Sequence, residues 1–271
     1  MVVAITGASA GIGRACAERI ARSGHAVVLN ARRAELLQDV VSAITASGGR
    51  ALAVPGDVTS PDDMRTLVAR SVETFGRLDA MICNAGIGFH GTLAQSTPEV
   101  SKQLVDVNVL GTLYAAHAAH EIFTRQGAGH LIAISSVAGL RGVSGMSVYS
   151  ATKAAQVGFI EGLRTEFLGS GLHASIVYPV STRTEFHQAM HRTFGHAVQG
   201  KGPKQDAASV AEAVMRCLEN PRGEVFPYGA ARWLRLANAL SPSLVDRFMR
   251  RFSRRRPYDA GSDGIDRNDG R

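Results

Sequence analysis

Cysteine is scarce in this chain of 271 residues: Cys16, Cys83 and Cys217 stand far apart, with no Cys-x-x-Cys pair among them. An odd, dispersed set argues against a disulfide framework and for a reducing, cytoplasmic setting. Long apolar runs are lacking too, and no uncharged stretch reaches the roughly 18 residues that a spanning helix needs. Nor is there a basic segment ahead of the apolar start. Met1-Val2-Val3-Ala4-Ile5-Thr6-Gly7 reads as a strand entering a turn rather than as a signal peptide. Aromatic residues make up 6% of the chain, with a single Trp. What is present is ordinary globular usage, 45% hydrophobic and 20% charged, which excludes disorder, collagen and coiled coil for the whole chain. The length suits one large domain or two small ones.

Acidic residues run short only towards the C-terminus. Between Pro221 and Arg271 eleven Arg stand against six acids, so a net +5 of the chain's +7 lies there. The preceding residues are nearly neutral, which weakens a global nucleic-acid-binding reading. Short apolar runs at Val2–Ile5, Ala26–Leu29, Ala51–Val54, Ala80–Cys83, His130–Ile134, Ala174–Tyr178 and Glu224–Phe226 predict strands, several of them buried on both faces. Between them, segments with a period near 3.6 predict helices over Ile12–Ser23, Ala34–Ser47, Pro61–Phe75, Glu99–Arg125, Val148–Gly169 and Asp206–Leu218. Strand–helix alternation of this length means an α/β fold: a doubly wound parallel sheet of about seven strands with helices on both faces.

The first strand meets the first helix through Thr6-Gly7-Ala8-Ser9-Ala10-Gly11-Ile12-Gly13. Gly7 permits the tight turn, Gly11 lets backbone approach a pyrophosphate, and Gly13 lets helix pack closely on strand. The helix N-terminus offers N–H groups and partial positive charge to the phosphates. The second strand ends Leu29-Asn30-Ala31-Arg32-Arg33, without the acid that takes the adenosine ribose hydroxyls in an NAD site. Two guanidiniums there suit a phosphate and favour NADP(H).

Tyr149 and Lys153 stand four residues apart at the start of a helical segment and so share a face. A nearby ammonium is expected to lower the tyrosine pKa towards neutrality, which suits proton transfer. Together with the glycine turn, Asp57-Val58, Asn84-Ala85-Gly86, Asn108 and Ser136, in that order, these residues resemble the short-chain dehydrogenase/reductase family over roughly residues 1–228. The resemblance implies a Rossmann fold and a carbonyl–alcohol oxidoreductase. Tyr149 is then the general acid/base, Lys153 bonds the nicotinamide ribose, Ser136 holds the substrate oxygen, and Asn108 holds a relay water near Lys153. It also implies that Asp57 and Val58 meet the adenine and that Asn84, Ala85 and Gly86 line the cofactor. Ser9 and Ile12 belong to the phosphate turn. The electron chemistry would be the nicotinamide's.

The chain departs from the family pattern after the sixth strand. The usual Pro-Gly is replaced by Pro179-Val180, followed by Ser181, Thr182, Arg183 and Thr184. By position Thr182 would offer backbone, and Thr184 its hydroxyl, to the nicotinamide carboxamide. Segment 183–205 is polar and glycine-bearing and is expected to be a substrate lid. Phe186, Met190, Phe194 and Trp233 point to an apolar substrate rather than a sugar. A 3-oxoacyl-carrier reductase and a non-catalytic NADP(H) sensor are alternatives. His187, His191 and His196 lack a clustering carboxylate or thiolate, so no metal is expected. Alanine-rich faces at 115–119 and 151–155 suggest a homo-oligomer, or close packing within one chain. Residues 229–256 form a helical extension, and 257–271 are predicted to be disordered. In the extension's second helix Leu244, Val245, Phe248, Met249 and Phe252 oppose Arg247, Arg250, Arg251 and Arg254. That helix closes over a substrate site, lies on an anionic membrane, or forms an extra layer with a solvated basic face.

Overall fold

The structure is a computed structural model and describes residues 1–184, 186, 190 and 204–252, the side chains of 248–252 excepted. Its body alternates strand and helix. The strands are β1 (Val2–Thr6), β2 (Ala26–Asn30), β3 (Arg50–Ala53), β4 (Ala80–Cys83), β5 (Gly129–Ile134), β6 (Leu172–Val177), β7 (Ser181–Arg183), β8 (Lys204–Asp206) and β9 (Glu224–Val225). The helices are α1 (Gly11–Arg22), α2 (Ala34–Ala46), α3 (Pro61–Phe75), α4 (Pro98–Val105), α5 (Gly111–Gln126), α6 (Val137–Leu140), α7 (Ser147–Glu166), α8 (Ala207–Glu219), α9 (Ala231–Leu240) and α10 (Pro242–Phe252).

Seven strands form one parallel sheet in the order β3-β2-β1-β4-β5-β6-β9. The expected doubly wound sheet is therefore present. Its strands read as unbroken apolar runs because both faces are covered. Val3, Ile5, Val27 and Leu29 pack with α1, α2 and α8 on one face. Val2, Ala4, Ala26 and Val28 pack with α3, α5 and α7 on the other. Local chemistry agrees at α3, which Ser60 caps by accepting from Asp63 N at 3.2 Å. Pro61 opens that helix, two acids fill its first turn, and Gly76 ends it at φ 80°.

Two features differ from the sequence reading. The single helix expected over Glu99–Arg125 is α4 and α5 joined by a π turn at Asp106–Leu110. A single widened turn is shorter than the window over which a 3.6-residue period shows, so periodicity passes over it. Residues 181–183 and 204–206 pair as a separate two-stranded parallel sheet, with Thr182 opposite Gln205. The expected lid is thus clamped at its base, while residues 187–189 and 191–203 lie outside the described residues, as do His187, His191, His196 and Phe194. No helix among the described residues is long and apolar enough to cross a membrane. Cys16, Cys83 and Cys217 are buried and free.

His130, on β5, has a stability consequence. Its ring is buried and bonded to Ser175 Oγ at 2.7 Å, and burial, aided by His173, pushes its pKa down to about 3. Above pH 6.5 neither the folded nor the unfolded chain protonates this ring. Below 6.5 the unfolded chain takes up the proton and the folded one refuses it, so stability falls with pH down to about 3. The loss between pH 7 and pH 5 should be about 2 kcal/mol. Urea unfolding at both pH values should show that difference, and His130→Gln should remove most of it. An equal drop in the variant would assign the loss to other groups.

Candidate active site

The strand order reverses between β1 and β4, and the crevice above their carboxyl ends is where α/β sheets place ligands. Asn84 ties those two ends together, its Nδ2 donating to Thr6 O at 2.9 Å and Gly7 O at 3.1 Å. Gly7 and Gly11 stand at φ 65° and 58°, in the left-handed region that favours glycine. At Gly13 a Cβ would lie 2.4 Å from Gly7 O and 2.5 Å from Asn84 Nδ2, so only glycine lets α1 start this close to β1. No side chain caps α1 and no acid stands in its first turn. Its N-terminal N–H groups and partial positive charge are left for an anion. Ile12 lies in that first turn.

Beside this turn, Arg33 Nη2 donates to Ser9 Oγ at 3.4 Å. Arg32, two-thirds exposed, holds Nη1 3.9 Å from Asp57 Oδ2. Asp57 Oδ1 accepts from Thr59 N and Oγ1 at 3.0 and 2.9 Å. Asn30, ending β2, donates to Val54 O, while its Oδ1 is buried without a partner among the described residues. Val58 is buried and packs where a Cβ on Gly111 would fall. Ser9, Arg32, Arg33 and Asp57 thus gather at one end of the crevice. An uncapped helix end, a close-approach turn and an unpaired acceptor fit a dinucleotide.

At the other end, Ser136 stands near enough to Tyr149 to oppose the upward push of burial on its hydroxyl. Ser136 also caps α6, accepting from Ala138 N at 3.1 Å, whereas Ser135 turns away to donate to Lys153 O at 2.9 Å. The two serines therefore point to opposite sides, as strand geometry requires. Tyr149 is buried in an apolar cluster with Phe89, Leu104 and Ala138, and the Phe186 ring lies 6.1 Å from its own. A Cβ on Gly88 would meet Met190 and Phe186 at 2.6 Å, so both side chains close over this end. Asn108 is wholly buried in the π turn, donating to Ile87 O at 2.9 Å and accepting from Ile87 N at 2.8 Å. A Cβ on Gly86 would come within 3.1 Å of Asn108 Oδ1 and 3.5 Å of Lys153 Nζ. Pro179 O accepts from Val137 N, and Thr182 Oγ1 donates to Val180 O and accepts from Gln205. The Thr184 side chain lies 3.2 Å from where a Cβ on Gly11 would stand.

One expectation is corrected. Lys153 Nζ does not lower the Tyr149 pKa: burial pushes the hydroxyl up to about 12, with Ser136 opposing it. The ammonium stands 5.9 Å from the ring centroid and donates instead to Ile134 O at 2.9 Å and Gln156 Oε1 at 3.0 Å. Burial pushes Lys153 down to about 7. Desolvation dominates both groups because both are buried.

The family model described as short chain dehydrogenase matches residues 1–193. The chain belongs to this family. An uncharacterized oxidoreductase of Listeria innocua is 40% identical over 186 residues, 68% of this chain and 75% of that protein. A short-chain dehydrogenase/reductase of Burkholderia phymatum, solved with NAD, has a TM-score of 0.82 at 25% identity, covering 90% of this chain and 94% of that one. A short-chain dehydrogenase of Sphingobium yanoikuyae, solved with NADPH, has a TM-score of 0.76 at 30% identity, covering 96% and 98%. The chain is accordingly an oxidoreductase of CH–OH groups, and these two structural relatives were solved with nicotinamide cofactors.

Sequence reasoning missed two residues of this site. Gln156 is wholly buried and joins Lys153 to Asn108: its Nε2 donates to Asn108 O at 2.9 Å and to Thr112 Oγ1 at 2.7 Å. Thr152 Oγ1 accepts from Asn108 Nδ2 at 3.0 Å. The signal was available, since both are polar residues on the face of α7 that carries Lys153. Trp233, read as near the substrate, is 59% exposed on α9 and is no member of the apolar cluster around Tyr149. Of the alanine faces, Ala115, Ala116 and Ala119 are buried within this chain's own core, while Ala151, Ala154 and Ala155 are exposed.

Proposed function

We propose that the protein is an NADP(H)-dependent reductase or dehydrogenase that interconverts a carbonyl and an alcohol on an apolar substrate. The observation that carries the reaction is the buried Tyr149 hydroxyl beside Ser136, which opposes the effect of burial on it, with Lys153 Nζ 5.9 Å from the tyrosine ring. A bound nicotinamide supplies or accepts the hydride. Tyr149 gives its hydroxyl proton to a carbonyl oxygen, or takes one from an alcohol, and Ser136 holds that oxygen as a second donor. Burial keeps Tyr149 protonated at neutral pH, the form that carbonyl reduction needs. Lys153, with Gly86 and Asn108 close by, is positioned to bond the nicotinamide ribose, and Thr182 and Thr184 its carboxamide. Phe186, Met190 and Phe89 exclude water and favour an apolar substrate. The exposed alanines of α7 support a homo-oligomer.

Cofactor choice rests on Arg32 and Arg33 at the end of β2, where no acid replaces them. A 2′-phosphate would take both guanidiniums beside Ser9, while Asp57 and Val58 serve the adenine. Arg32→Ala should weaken NADPH by about 1–3 kcal/mol and leave NADH nearly unchanged. Equal weakening of both, measured by fluorescence titration, would sink the NADP(H) assignment. The reaction itself is tested by NADPH oxidation against aldehydes, ketones and 3-oxoacyl thioesters graded by chain length. Turnover that rises with apolar bulk is expected. Tight NADPH binding without turnover on any substrate would favour a sensor.

A further inference from the structure

Helix α9 turns Arg235 and Asn238 toward the protein beside Ala231 and Leu234, and most of its large apolar side chains toward solvent. On the inner side, Arg235 forms an ion pair with Glu161 of α7 at 2.7 Å and another with Glu224 of β9. Asn238 accepts from Arg141 Nη1 at 2.7 Å, and Arg141 also pairs with Asp246 of α10. On the outer side stand Trp233, Leu236 and Leu240, spaced three and four apart and thus on one face, and Leu244 of α10 follows. Leu240 is 77% exposed and Leu244 61%. Of the ten exposed large hydrophobic side chains among the described residues, five lie between Tyr228 and Leu244. A surface helix of a globular protein ordinarily does the reverse, burying its apolar stripe.

Charge tells what covers this face. The guanidinium of Arg232 lies 5.3 Å from the Trp233 ring, and Arg247 follows on α10. In the sequence Arg250, Arg251, Arg254, Arg255 and Arg256 come next, within a region of net +5. A second copy meeting this face would bring two arginine-rich segments together. Anionic headgroups complement them, and a tryptophan beside leucines suits the lipid–water boundary. We propose that the outer face of α9, with the start of α10, docks the protein on an anionic membrane surface. The helices lie on the membrane without crossing it. The inner polar contacts hold them to the catalytic body, where α9 packs on α6, the short helix that Ser136 caps. This inference is independent of the proposed cofactor and substrate.

Trp233 is the only tryptophan, so the emission of the full-length protein reports on this face alone. Vesicles of phosphatidylglycerol and phosphatidylcholine, titrated into the protein, should shift that emission to the blue and carry the protein into the pellet on centrifugation. Pure phosphatidylcholine vesicles should do neither. Leu236→Glu with Leu240→Glu should weaken vesicle binding by at least about tenfold, with thermal melting and circular dichroism unchanged. No shift and no pelleting with either vesicle overturns the proposal. Equal binding to both vesicles overturns it too, because charge would then play no part. A blue shift that follows protein concentration without lipid also overturns it and makes the face a contact between copies.

Discussion

Replacing Tyr149 with phenylalanine should lower turnover by roughly 10²–10⁴-fold and leave nicotinamide affinity within a few-fold. The ring is kept, so its packing in the cluster with Phe89, Leu104 and Ala138 survives. What is lost is the hydroxyl beside Ser136, the group proposed to exchange a proton with a substrate oxygen. Ser136→Ala should lower turnover less, because the tyrosine still donates; its second effect is to remove the cap of α6. Substrate oxidation and reduction by the native and variant proteins, with cofactor affinity measured separately, test the assignment. Near-native turnover of Tyr149→Phe would end it. A variant that neither binds cofactor nor melts cooperatively would have lost its fold, and the Ser136 variant then decides.

The fold was largely legible because its strongest signals are physical and local. Buried parallel strands cannot alternate, so Val2–Thr6, Ala26–Asn30 and Gly129–Ile134 announce themselves as apolar runs. The glycine turn was legible for the same kind of reason. Gly13 has no room for a Cβ, and Gly7 and Gly11 adopt a φ that other residues avoid. Less visible was whatever depends on one residue of register or on a distant partner. The π turn that brings Asn108 inward hides inside a helical period. The β7–β8 pair joins Ser-Thr-Arg to Lys-Gln-Asp, two polar triplets with no strand pattern. The tail helices were foreseen, but not that α9 turns Arg235 and Asn238 toward the body. They are satisfied by Glu161, Glu224 and Arg141, charges from three separate parts of the chain. The pKa order within the Tyr149–Lys153 pair was misread because proximity was weighed and burial was not.

Gln156 carries the second large expectation. The resemblance assigns a relay water between Lys153 and Asn108; here the Gln156 amide spans that distance and takes the Asn108 carbonyl. A carboxamide extends a hydrogen-bond chain but does not take up and release a proton as water does, so its task is to hold the Lys153 ammonium. Two variants of similar size should move that ammonium in opposite directions. Gln156→Leu removes an acceptor from Lys153 and the Gln156 amide's two donations, leaving Asn108 O and Thr112 Oγ1 bonded only to each other. Each buried hydrogen bond so lost costs about 0.5–1.5 kcal/mol, so the melting temperature falls. With less to stabilise its charge, Lys153 drops further below about 7. Gln156→Glu sets a carboxylate against the ammonium and raises its pKa, by about one unit or more. The limb of the kcat/KM profile near pH 7 reports the free enzyme, and it should shift to lower pH in the leucine variant and to higher pH in the glutamate variant. Turnover at the optimum should fall about tenfold or more in the leucine variant, since Lys153 is then less firmly placed. Lost stability alone would lower activity in both variants without separating their limbs. If the two limbs stay where the native one lies, Gln156 supports the fold and Lys153 takes its position from Ile134 O.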